Sequence, residues 1–272
     1  MSERFPLTAT SERPLTGLSV LVTRPLRQAT HLLQSLQRLG ASTYHQPCID
    51  ISPYSHQSQT VVMSSINRYD YIIFVSKNAV DYAFELFKTN NISITSPQIA
   101  AIGKTTRESL KNYFSDNIIS PANGFDSEAL LICPPFSEPQ ISFKKILIIR
   151  GGHGREHLKQ TLEQRQASVE YLDVYQRSPS AIILPLDQFK NLDIITVSSQ
   201  QGLENLLSML DSKTRSAILK TLLITPSVRC ANRAQELGFN QIVSAANATD
   251  DAMLSTIASL ENIYKTNKRD VN

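Results

Sequence analysis

Residues 19–53, SVLVTRPLRQATHLLQSLQRLGASTYHQPCIDISP, align without a gap to residues 145–179, KILIIRGGHGREHLKQTLEQRQASVEYLDVYQRSP. Arg24 falls on Arg150, Leu32 on Leu158, Leu36 on Leu162, Ala41 on Ala167 and Pro53 on Pro179, each pair 126 positions apart. With small slips the match continues. YDYIIFVSKNAV (69–80) mirrors LDIITVSSQQGL (192–203), QIAAIGKTTRESL mirrors TLLITPSVRCANRA, and GFDSEALL mirrors NATDDAML. Solenoid repeats run about 20 to 50 residues, so a period this long signals a duplicated domain. A chain of 272 residues has room for two domains of about 100 to 150 residues each.

The repeated segments alternate in type. SVLVT, YIIFVS, IAAIG, ILIIR, DIITVS and TLLIT are short runs rich in Val and Ile, the pattern of strands buried on both faces of a parallel sheet. Between them lie stripes at helical spacing: Leu26, Ala29, Leu33 and Leu36; Leu203, Leu206, Leu207 and Leu210; Leu254 and Ile257. Strands alternating with helices predict an α/β fold with doubly wound parallel sheets, flavodoxin- or Rossmann-like, one per copy of the repeat.

Composition excludes several classes. With 41% hydrophobic and 19% charged residues this is an ordinary globular chain, and a net charge of +3 is too small for a nucleic-acid platform. Cys48, Cys133 and Cys230 are far apart and odd in number, which fits reduced thiols and a cytoplasmic location. The polar start, MSERFPLTATSERPLTG, lacks the apolar core of a signal peptide, and no apolar run is long enough for a membrane helix. Residues 1–16 and 266–272 read as loose tails. His153 and His157 have the i, i+4 spacing of metal ligands. They lack the glutamate of HExxH and a third placed ligand, so they read as a surface pair.

In doubly wound sheets ligands sit off the carboxyl ends of the strands. Those ends carry Arg24, Ser76-Lys77-Asn78, Gly103-Lys104-Thr105-Thr106, Arg150-Gly151-Gly152, Ser198-Ser199-Gln200 and Thr225-Pro226-Ser227. Each precedes a helix whose first N–H groups are unpaired and favour anions. Helix capping alone would explain any one of these hydroxyl residues. The whole set is better explained by a site for a large, multiply anionic ligand. Gly151, Gly152 and Gly154 fit neither G-x-G-x-x-G nor a P-loop, so a tight strand-to-helix turn is a better reading of them than a nucleotide cradle.

Taken together, VLVTRP, YDYIIFVSKNAV, IAAIGKTTRESL with GFDSEALL, VEYLDVYQRSP, DIITVSSQQGLENLL and LLITPSVRCANRAQELGF with ATDDAML resemble the uroporphyrinogen-III synthase family over roughly residues 17–262. The resemblance implies a discontinuous first domain, 17–50 plus 181–265, and a second, 54–176. Residues 47–53 and 176–181 would be the linker strands between them. It further implies an enzyme of haem and tetrapyrrole biosynthesis that closes hydroxymethylbilane, a linear tetrapyrrole with eight carboxylates, in the cleft between the domains. Water is lost and ring D is inverted through a spiro intermediate. The chemistry calls for proton transfer and positioning, with no cofactor and no metal. A monomer is expected, with no nucleic-acid or membrane partner and with transient contact to the upstream hydroxymethylbilane synthase.

The resemblance also assigns residues. Tyr175 matches the family tyrosine near the departing hydroxyl, and a phenol is protonated at neutral pH and can donate. Thr106 matches a family threonine that faces the substrate. On the other side Thr225 and Val228 stand where glycine and threonine are usual, leaving Ser227 or Thr225 to substitute. Ser76 and Ser198 would hold substrate carboxylates, and Arg24, Lys77, Lys104, Arg150 and Arg155 would add charge, with Gly103, Gly151 and Gly152 beside them. Two rivals differ in class. A hinge-type binding protein would share the duplicated halves, and a nucleotide-sugar enzyme would want a carboxylate or a nucleotide loop at a strand end.

Overall fold

Short branched apolar runs form the strands. A computed structural model describes residues 13–54, 58–115, 117–124, 126–152 and 156–260. In chain order these form β1 (Ser19–Val22), α1 (Leu26–Arg38), β2 (Ser42–His45), β3 (Ile49–Pro53), α2 (Ser58–Ser64), β4 (Tyr71–Phe74) and α3 (Lys77–Thr89). Then follow β5 (Gln98–Ala101), α4 (Lys104–Leu110), α5 (Ser127–Ile132), β6 (Lys145–Gly151), α6 (His157–Gln164) and β7 (Ser168–Pro179). The last part holds β8 (Ile194–Thr196), α7 (Gln200–Ser208), α8 (Ser212–Ile218), β9 (Leu222–Thr225), α9 (Val228–Glu236), β10 (Ile242–Ser244) and α10 (Asp250–Ser259).

The described residues divide into two compact units. One takes those up to Asp50 and from Ser178 onward; the other is Ile51–Arg177. The first unit carries a sheet in the order β10-β9-β8-β1-β2. β1 pairs in parallel with β2 and β8, β8 with β9, and β9 with β10. Side-chain alternation along β1 explains its unbroken apolar run. Val20 and Val22 face a core with Leu32, Leu36, Met253 and Ile257 from α1 and α10. Leu21 faces the opposite core, with Leu203, Leu206, Ile218 and Ala234 from α7, α8 and α9.

The second unit has the order β3-β7-β6-β4-β5, with β4 parallel to both β5 and β6, and β6 parallel to β7. Leu147 and Ile149 of β6 pack with Val80, Ala83 and Phe87 of α3. Ile146 and Ile148 pack with Leu130 of α5 and Leu158 and Leu162 of α6.

Three local expectations need correction. The buried stripe of α1 is Ala29, Leu32 and Leu36, and Leu26, at the helix start, is 62% exposed. In α10 Met253 and Ile257 are buried, and Leu254 packs only partly against the same core. Residues 13–16, read as tail, are held in place. The Leu15 side chain is fully buried and its N–H donates to the Leu39 carbonyl at 2.8 Å. The rest of the expected tails, and His153, Gly154 and Arg155, lie outside the described residues.

Candidate functional site

The second unit holds a cavity of about 310 Å³ at the carboxyl ends of its strands, lined by Val75, Ser76, Ile102, Asp126, Ser127, Ile148, Arg150, Gly151, Gly152, Leu158, Tyr171, Tyr175 and Arg177. This is where a parallel sheet of this kind presents helix N-termini and strand-end side chains. Five residues expected from the sequence meet here: Ser76, Arg150, Gly151, Gly152 and Tyr175.

Tyr175 is the centre of the group. The pairing of β6 with β7 runs Arg150↔Asp173 and then Gly151↔Tyr175, a register shift that inserts one extra residue in β7. The shift lays the Tyr175 ring on Gly151. A Cβ at position 151 would lie 2.5 Å from the ring, so only glycine fits. The Gly152 N–H donates to the Tyr175 carbonyl at 2.8 Å. The close approach that Gly151 permits is that of a tyrosine ring, and Gly152 lines the cavity beside it. The next described helix, α6, starts at His157, with Glu156 at its N-cap.

Tyr175 is 4% exposed as a residue and packs at a tilt on Tyr82, with ring centroids 5.7 Å apart. Its phenol oxygen lies 3.3 Å from Ser76 Oγ and accepts a hydrogen bond from Arg177 Nη2 at 3.4 Å. Ser76 is also the N-cap of α3, its Oγ accepting from the Ala79 N–H at 3.0 Å. One serine thus fixes a helix start and touches the phenol.

Arg150 is bound on three sides. Its Nε donates to Asp173 at 3.0 Å, its Nη1 donates to Glu156 at 2.8 Å, and its guanidinium stacks 3.4 Å from the centre of the Tyr171 ring. Burial pulls its pKa down, but the bonds to Glu156 and Asp173 outweigh that and hold it above the usual value. Glu156 accepts from Arg150 and from the Tyr171 hydroxyl, and both bonds hold its carboxyl below the usual range. Burial first, and then the bond to Glu156, pushes Tyr171 up.

The other expected residues of this unit lie outside the cavity lining. Lys77 is exposed and paired with Asp81. Gly103 is the N-cap of α4, Lys104 is exposed on its first turn, and Thr106 is 4% exposed within it.

In the first unit Arg24 follows β1 and reaches the start of α10. Its Nη1 lies 2.6 Å from Asp250, and its Nη2 donates to the Ala248 carbonyl. Burial lowers its pKa, and Asp250 opposes that shift. Ser199, not Ser198, repeats the role of Ser76: its Oγ caps α7 by accepting from the Gly202 N–H at 3.1 Å. The gapless match of YDYIIFVSKNAV to LDIITVSSQQGL already set Ser76 against Ser199. Ser227 caps α9 in the same way. Thr225 is fully buried, its hydroxyl 3.2 Å from Ser244 Oγ and so turned toward β10.

Sequence reasoning passed over Arg177 and Tyr171, although both stand in the VEYLDVYQRSP stretch, at even spacing from Tyr175. Among the described residues no group of three or more His, Cys, Asp or Glu side chains could hold a metal ion, and no helix is long and apolar enough to cross a membrane. Around the Tyr175 phenol the cavity lining adds the Tyr171 phenol, the Ser76 and Ser127 hydroxyls, the Arg150 and Arg177 guanidiniums, and one carboxylate, Asp126, which caps α5 by accepting from the Ala129 N–H. That set suits anion binding and proton donation to a leaving oxygen.

Comparison with known proteins agrees in one direction. A family model described as Uroporphyrinogen-III synthase HemD matches residues 30–255. The chain is 31% identical over 247 residues to the uroporphyrinogen-III synthase of Escherichia coli (strain K12), a match that covers 88% of this chain and 100% of that protein. It is similar in fold to a mutant uroporphyrinogen III synthase of the extremely thermophilic bacterium Thermus thermophilus, with a TM-score of 0.60 at 14% identity over 90% of this chain and 100% of that one. The uroporphyrinogen-III synthetase of Helicobacter pylori 26695 gives 0.53 at 16% identity, over 89% and 99%.

Proposed function

This chain belongs to the uroporphyrinogen-III synthase family, and from that premise we propose that it closes hydroxymethylbilane to uroporphyrinogen III at the Tyr175 cavity. It is an enzyme of tetrapyrrole biosynthesis. The observation that carries the siting is the Tyr175 phenol beside Ser76 and Arg177 at the strand ends of the second unit.

The phenol gives its proton to the terminal hydroxyl of the substrate as the C–O bond breaks, and water leaves. The electrophilic azafulvene left behind is attacked by ring D through its substituted carbon. The spiro intermediate fragments and recloses with ring D inverted, and the proton released on reclosure restores the phenol. Electrons are neither gained nor lost, so positioning and proton transfer suffice. Orientation alone can contribute roughly 7 to 11 kcal/mol to such intramolecular steps. Ser76 holds the phenol oxygen and the α3 N-terminus in place for this role. The remaining expected residues, Thr106, Lys77, Gly103 and Lys104 in this unit and Arg24, Ser198, Thr225 and Ser227 in the other, would contact the substrate only where it extends beyond the cavity.

We read the two units as duplicated, doubly wound domains, 17–50 with 181–265 and 54–176, linked through 47–53 and 176–181. Shared strand register supports this. Ser19 pairs with Ser42 in one sheet and Lys145 with Ser168 in the other, the same spacing at an offset of 126.

The test is a coupled assay in which freshly made hydroxymethylbilane is added and the oxidised type I and type III isomers are separated. Predominant type III without added cofactor is expected, and Tyr175→Phe should slow its formation on the order of a hundredfold, the lower range for loss of a general acid. Type I at the rate of a protein-free control would sink the reading.

A further inference from the structure

Two guanidiniums line the cavity, and they are not equivalent. Arg150 has two carboxylate partners, Asp173 and Glu156, and an aromatic face, Tyr171, against its third side. Two of the five N–H donors of Arg150 are engaged by carboxylates that offset its charge, and its side chain is only 12% exposed, so it presents little net charge to a ligand. Arg177 has no carboxylate partner among the described residues. Its contacts are the Tyr175 hydroxyl, to which one nitrogen donates, and the Tyr175 ring, 5.6 Å away. The side chain is exposed and stands two residues after Tyr175 on β7, so both project to the same side of the strand.

Resting on the reading of the cavity given above, we propose that Arg177 is the specificity-determining cation of this site. It pairs with a substrate carboxylate, whereas Arg150 serves the architecture. The planar fork of arginine explains how it does both of its tasks. One N–H goes to the phenol oxygen and the others remain for a carboxylate. A carboxylate held there brings its own pyrrole ring to the phenol, so recognition and proton donation meet at one side chain.

The experiment compares the wild-type enzyme with Arg177→Gln and Arg177→Lys in the type III assay at low and raised salt. Arg177→Gln is expected to raise KM for hydroxymethylbilane about tenfold, the scale of one charge-assisted hydrogen bond, with a smaller change in kcat. Its unfolding midpoint should match the wild type, because the side chain is exposed. Arg177→Lys should recover part of the loss, keeping the charge but not the fork. Added salt should raise the wild-type KM more than that of Arg177→Gln. A wild-type KM in Arg177→Gln, or an equal salt response in both, overturns the proposal. If the wild type makes no type III isomer, the reading of the site falls instead. Arg177 is then judged by binding of uroporphyrin III: weaker binding to Arg177→Gln supports its role, and equal binding overturns it.

Discussion

At Gly151 a hydrogen atom stands where any other residue would place a Cβ. The Tyr175 ring occupies the space a side chain would take, so Gly151→Ala must push the ring, the strand or both. Overpacking of this kind costs about 1 to 3 kcal/mol. We expect a lower unfolding midpoint in urea together with a fall in type III formation, because the displaced phenol leaves Ser76. Tyr175→Phe should lose activity with little loss of stability, since its ring still fills the space, so the two variants separate packing from chemistry. The sequence brought Tyr175, Ser76 and Gly151 forward as residues, but not the contacts among them, and it passed over Arg177 and Tyr171. That Gly151 serves a tyrosine could be known only from the register shift between β6 and β7, which no residue spacing reveals. Arg150 looked like a free cation because both of its carboxylate partners are recruited by the fold: Asp173 from the neighbouring strand and Glu156 from the next helix start.

Serine caps recur at the element scale. Ser76, Ser199 and Ser227 each follow a strand and accept from the backbone N–H three residues on. Losing such a cap costs about 1 kcal/mol. Ser76→Ala and Ser199→Ala should therefore lower stability by similar amounts in chemical denaturation. Only Ser76→Ala also removes a neighbour of the Tyr175 hydroxyl, so it should lose more activity than Ser199→Ala. Equal activities would detach Ser76 from the chemistry. The strands and their parallel pairing were readable because runs such as YIIF and ILII are buried on both faces, and no alternation is possible there. The phase of α1 was not. Leu26 and Leu33 share the helical spacing of Ala29 and Leu36, yet Leu32 is the fully buried leucine, Leu33 packs only partly against the same core and Leu26 is exposed.

Across the whole molecule the two units are built differently along the chain. The second is continuous, Ile51–Arg177, whereas the first combines both ends of the chain. Its β1 is an interior strand between β2 and β8. A fragment of residues 49–179 should therefore unfold cooperatively when followed by circular dichroism. A fragment from residue 178 onward should not, because it lacks β1 and α1. A cooperative transition in the latter would show that the order β10-β9-β8 suffices. The same arrangement bears on synthesis by the ribosome. Ser19 meets Asp193 across 174 positions, which at about 5 to 20 residues per second is a delay on the order of ten seconds or more. During that interval the second unit can finish folding, while the newborn β1 waits with one edge unpaired, a state in which chaperones and stray strands compete for it.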